Sequence, residues 1–393
     1  MAEPWLAIIG LGEDGPKGLG PASRKALSRA EFVFGGRRHL DLMGIAGQEW
    51  PLPFSLDPVL ALRGQKVAVL ASGDPFWFGV GGSLSAVLDR SEWQSFPAPS
   101  TFSHAAALMG WRLEEVTCLG LHAAPMTRLF PHLSRDQRLL CLLRDGKALA
   151  ELASYLTGLG FGTSQITALS ALGGPRQTDI TFTAESHDIP DIPAPAAAAI
   201  LVRGPKGLPR ANGLDDGLFD HDGQITKRPI RALTLSALAP RAGEVLWDIG
   251  AGSGSVSVEF LLSAPATQSH AIEADPTRAA RARRNADRFG LAHRFHLTEA
   301  RAPEGLEHLP RPDAVFIGGG FSPALMATLW PLLPQNARLV VNAVTLEGEA
   351  LLIAWNAAQG GTLLRIDLAQ SAPLGSKRGW VAMRPIVQWS VSK

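Results

Sequence analysis

Residues 246–260 read LWDIGAGSGSVSVEF. An apolar strand ends at Asp248 and Ile249, breaks into a glycine-rich loop, and gives way to a second apolar run that starts a helix. Strand, loop and helix in that order open a nucleotide-binding α/β unit. Gly250, Gly252 and Gly254 are spaced G-x-G-x-G, whereas the dinucleotide fingerprint wants its third glycine one step later, where Ser255 stands. Asp248 lies two residues before the first glycine, where an anion suits a ligand carrying an α-ammonium group. The glycines, with Ala251 and Ser253 between them, let backbone approach a ligand closely and adopt positive φ. Glu273 closes the next apolar segment about 20 residues further on, where a ribose diol needs an acceptor. The pattern points to S-adenosylmethionine rather than NAD. A glycine-rich turn with no ligand is the competing reading.

That signature begins past the midpoint of a 393-residue chain, long enough for two domains that each bury a core. Residues 203–224, RGPKGLPRANGLDDGLFDHDGQ, are rich in Gly, Pro and Asp and lack hydrophobic period, so they read as a linker. The expected domains are 1–208 and 209–393. Upstream, apolar segments such as LAIIGLG, EFVFGG and KVAVLASGDP alternate with helical stretches, which indicates a largely parallel sheet. A second cluster from RLLCLLR to AAAAILV suggests an adjoining lobe across a cleft. Downstream, seven strand segments alternate with helices. The last two, near TLLRIDLA and PIVQWSV, leave only the loop SAPLGSKRGW between them and should pair antiparallel.

Lys+Arg number 37 against Asp+Glu 36, which argues against a nucleic-acid or anionic-membrane partner and for small molecules. Cys118 and Cys141 sit in apolar strand contexts and read as free thiols of a reducing compartment. The start MAEPWLAIIG lacks a signal peptide's basic region, and the longest apolar run falls well short of the ~20 residues of a membrane helix. A soluble cytoplasmic protein is the expectation. After the fourth strand of the second half, DAVFI runs into Gly318, Gly319 and Gly320. No amine-gripping (D/N)-P-P-(Y/F) motif stands there, which disfavours nitrogen methylation. Three glycines leave room for something broad and flat; a flexible loop explains them equally well.

Two stretches carry a family resemblance. HDGQITKRPIRALTLSALAPRAGEVLWDIGAGSGSVSVEF resembles the CbiT family of cobalamin biosynthesis, across the whole second half. IIGLGEDGPKGLGPAS, FVFGGRRHL, ASGDPFWFG and PAPSTFSHAAALMGW resemble the CbiE-type tetrapyrrole methylases. Together they look like the CobL-type fusion, the precorrin-6B C5,15-methyltransferases (decarboxylating). The resemblance implies a two-lobed tetrapyrrole-methylase (class III) fold followed by a Rossmann-like class I methyltransferase with a mostly parallel seven-stranded sheet. It implies S-adenosylmethionine contacts from Thr226, Gly250–Gly254, Glu273 and Ala300 in the second half. In the first half it implies contacts from Gly10, the turn Ser72-Gly73-Asp74-Pro75, Ser100, Thr101, Ala171 and Leu172. One departure concerns the first loop, GLGEDGPKG, which replaces the usual G-P-G-D as CbiE types do. The implied reaction methylates carbons 5 and 15 of precorrin-6B and removes the carbon-12 acetate carboxyl, giving precorrin-8X. The second half would take carbon 15 and the decarboxylation, and the first half carbon 5. A homo-oligomer is expected by similarity to an oligomeric family.

A sulfonium methyl is already electrophilic and meso carbons of a reduced tetrapyrrole are enamine-like, so positioning and water exclusion suffice. No nucleophile, catalytic residue or metal site is singled out. Candidate cations for the substrate's carboxylates are Lys227, Arg228 and Arg231, with Arg37 and Arg38 in the first half; each has a solvated surface cation as its alternative. Arg281, Arg283, Arg284 and Arg288 read as a solvated helix face. His104 and His221 are candidate proton carriers but read more simply as structural. Two rival readings remain: an RNA or protein methyltransferase with an N-terminal binding module, and a scaffold in which one half has lost its cofactor.

Overall fold

Strand β4, Val67–Ser72, reads VAVLAS and is buried from Val67 to Ala71, the burial of a central parallel strand covered on both faces. It pairs with β1 (Leu6–Leu11) on one side and β2 (Phe32–Gly35) on the other. With β3 (Gln48–Glu49) and β5 (Trp93–Phe96) these make an all-parallel sheet of order β3-β2-β4-β1-β5. The computed structural model describes residues 4–393; the expectation drawn from the chain's first three residues lies outside them.

A second sheet of order β6-β7-β10-β8-β9 follows, from β6 (Thr117–Gly120), β7 (Arg138–Leu143), β8 (Gln165–Ser170), β9 (Thr178–Thr183) and β10 (Ala196–Leu201). Only β6 and β7 run parallel; the other neighbours are antiparallel. The alanine-rich β10 runs down its middle, buried from Ala196 to Ile200, which is why so short and apolar a segment had to join a sheet.

The third sheet contains β11 (Val245–Ile249), β12 (Gln268–Glu273), β13 (Phe295–Glu299), β14 (Ala314–Ile317), β15 (Arg338–Ala343), β16 (Thr362–Ile366) and β19 (Ile386–Ser392), in the order β13-β12-β11-β14-β15-β19-β16. It is parallel through β15 and antiparallel at β19 and β16, as expected for the last two strands. The order reverses at β11, whose neighbours are β12 and β14, so ligands of such a sheet belong beyond the C-terminal end of β11. Its core includes Trp389, fully buried, at about 1.5–3 kcal/mol for each large side chain withdrawn from water.

Two expectations need correction. The presumed loop SAPLGSKRGW is a hairpin of β17 (Ala369–Leu374) and β18 (Lys377–Ala382). Gly375, at φ +60, supplies the positive φ its two-residue turn requires, while Leu374, Trp380 and Val381 stay exposed, so no buried face announced it. The presumed linker is ordered against the third sheet's helices from Gly213 onward, because Leu214 and Phe219 are buried there. Contacts divide the chain into two units, one running to Met126 with His132–Gly207 and the other comprising Thr127–Pro131 with Leu208–Lys393. Among the described residues no helix is long and apolar enough to cross a membrane.

Candidate functional site

In the second unit the glycine loop sits at the reversal point. Gly250, Gly252 and Gly254 hold φ of +70, +58 and +71, conformations an L side chain rarely takes. A Cβ on Gly250 would lie 2.8 Å from the backbone N and O of Gly319, so two backbones touch where β11 and β14 end. Gly318 is constrained as well, since a Cβ there would meet the Phe316 ring at 2.8 Å. Part of the glycine triplet therefore serves close packing against the loop.

Glu273 receives two backbone N–H groups, Gly252 at 2.7 Å and Asp275 at 2.9 Å. Asp248 is fully buried; Ser257 Oγ donates to its Oδ2 at 2.5 Å, and Oδ1 has no partner. Burial, eased by the Ser257 hydrogen bonds and worsened by Glu273, pushes its carboxyl up to about 6. The buried Ser253 Oγ is also without a partner. Unpaired polar atoms are costly inside a protein, so two of them at one glycine loop fit a polar ligand that completes them. Ala251 is half-buried, and the N–H of Ala300 donates to the Glu273 carbonyl at 3.2 Å.

A strap from Gly213 to Thr226 lies against this loop. Asn285, buried on the helix Pro276–Arg288, donates to the carbonyls of Ser253 (2.8 Å) and Asp220 (3.0 Å) and accepts the Asp220 N–H (2.8 Å). Arg278 and Arg281 pair with Asp222 and Arg284 with Asp220, so three cations on that helix hold the strap. The reading of Arg281 and Arg284 as a merely solvated face is corrected; Arg283 pairs with Glu299, and Arg288 is exposed. His221 accepts the Gly223 N–H in the strap's own turn.

Arg231 requires the firmest correction. It is 0 % exposed, donates to Glu259 at 2.5 Å and to Asp216 at 3.0 Å, and reaches the carbonyls of Thr226 and Leu214. Glu259 in turn accepts the N–H groups of Gly213 and Leu214. Arg231 thus anchors the strap from inside instead of meeting a substrate. Thr226 and Lys227 are half-buried at the strap's end, Lys227 donating to the Gly223 carbonyl, and Arg228 is exposed.

The first unit holds a cavity of about 330 Å³ between its two sheets, reaching from Gly12 and Ser72 to Leu142 and Ala197. Gly73, Asp74, Ser100, Thr101 and Leu172 line it. Asp74 accepts the Phe76 N–H at 2.9 Å, and Ser100 caps the helix Thr101–Met109 by accepting the Ser103 N–H at 3.1 Å. Gly10 and Ala171 stand behind the wall. A Cβ on Gly10 would fall 2.0 Å from the Gly73 carbonyl oxygen, so Gly10 lets the Gly73 turn close. Buried Ala171 takes φ +46 where the chain leaves β8.

Of the two arginines, Arg38 lines the cavity and Arg37 does not. Arg37 is 77 % exposed and pairs with Asp41 and Glu49. Arg38 pairs with Glu13, which also meets Arg176 at 3.5 Å, and donates to Ser72 Oγ at 2.8 Å. His39 contacts the same hydroxyl at 2.8 Å, and burial, with Arg38 beside it, holds its imidazole down at about 4. His104 lines the cavity. Glu13 and His39 were not singled out from the sequence; only their neighbourhood to the GLGEDG and GGRRHL segments hinted at them.

Residues 6–187 match the tetrapyrrole (corrin/porphyrin) methylases, and residues 217–393 match the precorrin methyltransferase domain. A precorrin-6Y C(5,15)-methyltransferase [decarboxylating] from Sinorhizobium sp is 45 % identical over 100 % of this chain and 97 % of its own length. This chain belongs to that family. The Mycobacterium tuberculosis (strain CDC 1551) member of the precorrin-6Y C(5,15)-methyltransferases is 36 % identical over 99 % of this chain and 100 % of its own. The C-terminal domain of the Rhodobacter capsulatus precorrin-6Y C5,15-methyltransferase, a crystal structure, is 52 % identical, covering 47 % of this chain and 100 % of that one at a TM-score of 0.46. Membership in the precorrin-6Y C(5,15)-methyltransferases makes the chain a methyltransferase with a tetrapyrrole-methylase half and a precorrin-methyltransferase half, as the resemblance implied.

Proposed function

We propose that the chain methylates carbons 5 and 15 of precorrin-6B, the precorrin-6Y of the relatives' name, and removes the carboxyl of the carbon-12 acetate, giving precorrin-8X, with S-adenosylmethionine as the methyl donor at two separate sites. The observation that carries this reading is that each unit builds its own backbone cradle, around Gly73 in one and Gly250–Gly254 in the other. Bound S-adenosylmethionine supplies a sulfonium methyl that an enamine-like meso carbon can attack. The domains are taken as 1–208 and 209–393.

In the first unit Gly73, Asp74, Ser100, Thr101 and Leu172 would hold the cofactor against the cavity wall. In the second, Glu273 keeps unused lone pairs for a ribose diol, and Ser253 Oγ and Asp248 Oδ1 await partners. Thr226, carried by the strap, would cover the cofactor, and Ala300 would border it. Arg38 at the cavity wall and Lys227 and Arg228 at the strap would meet substrate carboxylates. The protein's work is orientation and exclusion of water, which can supply most of the rate for so activated a pair of reactants. Each methylation releases the meso proton. The decarboxylation breaks one C–C bond, leaves its electron pair in the macrocycle and takes up one proton.

The first unit is assigned carbon 5, the second carbon 15 and the decarboxylation. We also infer a homo-oligomer located in the cytoplasm. The test uses the full chain with methyl-labelled cofactor and mass spectrometry of the product. Gly252→Arg should yield a once-methylated product that keeps every carboxylate, and Gly73→Arg a once-methylated product that has lost carbon dioxide. The reverse assignment, or two methyl transfers surviving in either variant, refutes the division.

A further inference from the structure

The turn after β4 displays three consecutive aromatic side chains, Phe76, Trp77 and Phe78, at 42 %, 37 % and 52 % exposure. Phe78 is the one aromatic among the described residues outside glycine with positive φ, at +56. That conformation costs a bulky residue energy, and such strain persists only where the surroundings enforce it. Here they do. Cβ atoms on Gly79 and Gly81 would fall 2.5 and 2.7 Å from the Pro75 carbonyl oxygen, so the turn closes on itself, and the Gly81 N–H donates to that oxygen at 2.9 Å.

Burial does not explain the strain, because Phe78 is half in solvent. Its ring meets the edge of Phe102 at 5.9 Å, and Gly120 of β6 leaves it room: a Cβ on Gly120 would lie 2.9 Å from Phe78 Cδ1. Trp77 packs on Phe102 at 5.0 Å. Trp77 and Phe78 both line the cavity that holds Gly73, Ser100 and Arg38. An exposed aromatic pair, fixed from both sheets at the rim of a cavity with a cation in its wall, suits a flat conjugated ring bearing carboxylates.

We propose that Phe78, supported by Trp77 and by the space at Gly120, is the platform on which the tetrapyrrole macrocycle rests in the first unit, setting the height of its meso carbon against the cofactor. This rests on the function proposed above. The test measures the carbon-5 methylation kinetics of the full chain with precorrin-6Y, cofactor affinity by calorimetry, and thermal stability. Phe78→Gly removes the ring and relaxes the backbone, so KM should rise about tenfold, in line with the loss of one aromatic contact, while cofactor affinity and Tm do not fall. Phe78→Tyr should keep the wild-type KM. If Phe78→Gly keeps the wild-type KM, or weakens the cofactor as much as the substrate, the platform is refuted. If Phe78→Gly does not fold, Phe78→Leu, which keeps bulk without a flat face, must show the raised KM or refute it. Failure of the wild type to methylate precorrin-6Y at all would overturn the reading of the first unit and this proposal with it.

Discussion

Glu273 Oε2 accepts the backbone N–H of Gly252 at 2.7 Å, tying the end of one strand to the loop that follows its neighbour. The carboxylate thus shapes the loop as well as offering acceptors to a ligand. Glu273→Ala should weaken cofactor binding by about 1.5–3 kcal/mol, the range for hydrogen bonds to a charged group. Calorimetry on the full chain should show one weakened site beside one unchanged site; two unchanged sites would remove Glu273 from the cofactor.

Glycines at the two cradles should differ in their tolerance. A Cβ at Gly252 meets nothing nearer than the Gln224 carbonyl at 3.8 Å, so Gly252→Ala should cost only the strain of positive φ, about 1–2 kcal/mol. Gly252→Arg fills the ligand's space and should abolish binding at that site alone. Gly10→Ala collides with the Gly73 carbonyl and should lose the first unit's cofactor site while sparing the second. Equal effects of Gly10→Ala and Gly252→Ala on their respective sites would count against these geometries.

Removing Arg231 leaves the buried Glu259 and the carbonyls of Leu214 and Thr226 without their cation. Arg231→Met should lower the unfolding free energy of the second unit by about 3–5 kcal/mol, the range for breaking a buried pair from one side. Urea denaturation checks this. A loss of substrate affinity at unchanged stability would instead restore Arg231 to the substrate.

Asp248 makes stability depend on pH with a definite sign. Its folded carboxyl, pushed up to about 6, binds its proton more tightly than the unfolded chain's ordinary aspartate near 4. The favourable contribution is therefore complete below about pH 4 and is lost as pH rises through 6. Asp248→Asn, which cannot ionise, should be more stable than wild type by about 3 kcal/mol at pH 8, with the difference vanishing only below about pH 4. Denaturation at several pH values tests it; a constant difference would mean the carboxyl is not strained by burial.

Local pattern made most of the scaffold legible. The run VLWDI, the glycines after it and the acid closing the next strand are short-range features, and the structure places all of them where the spacing implied. The alternation of apolar and helical segments likewise marked the strands of the three sheets except β3, two exposed residues too short to show a period. The hairpin at Leu374 was missed because neither strand buries a face. The strap was missed because its two buried anchors, Leu214 and Phe219, are too few to show a period among Gly, Pro and Asp.

Sequence alone determined which backbone could fold at the cradles: the close backbone approaches at Gly10 and Gly250 leave no room for a Cβ, and that constraint is written in residue identity. It also determined membership in a fused, two-part methyltransferase family, because the motifs of both halves are contiguous. Tertiary structure alone decided what each charge does. Arg38 reaches a cavity while Arg37 beside it faces solvent, and Arg231 is swallowed by the strap while Arg228 three residues earlier stays outside. An arginine reads the same in sequence whatever surrounds it. Its role comes from the dielectric and the partners around it, which residues as distant as Glu259 supply only once the chain has folded.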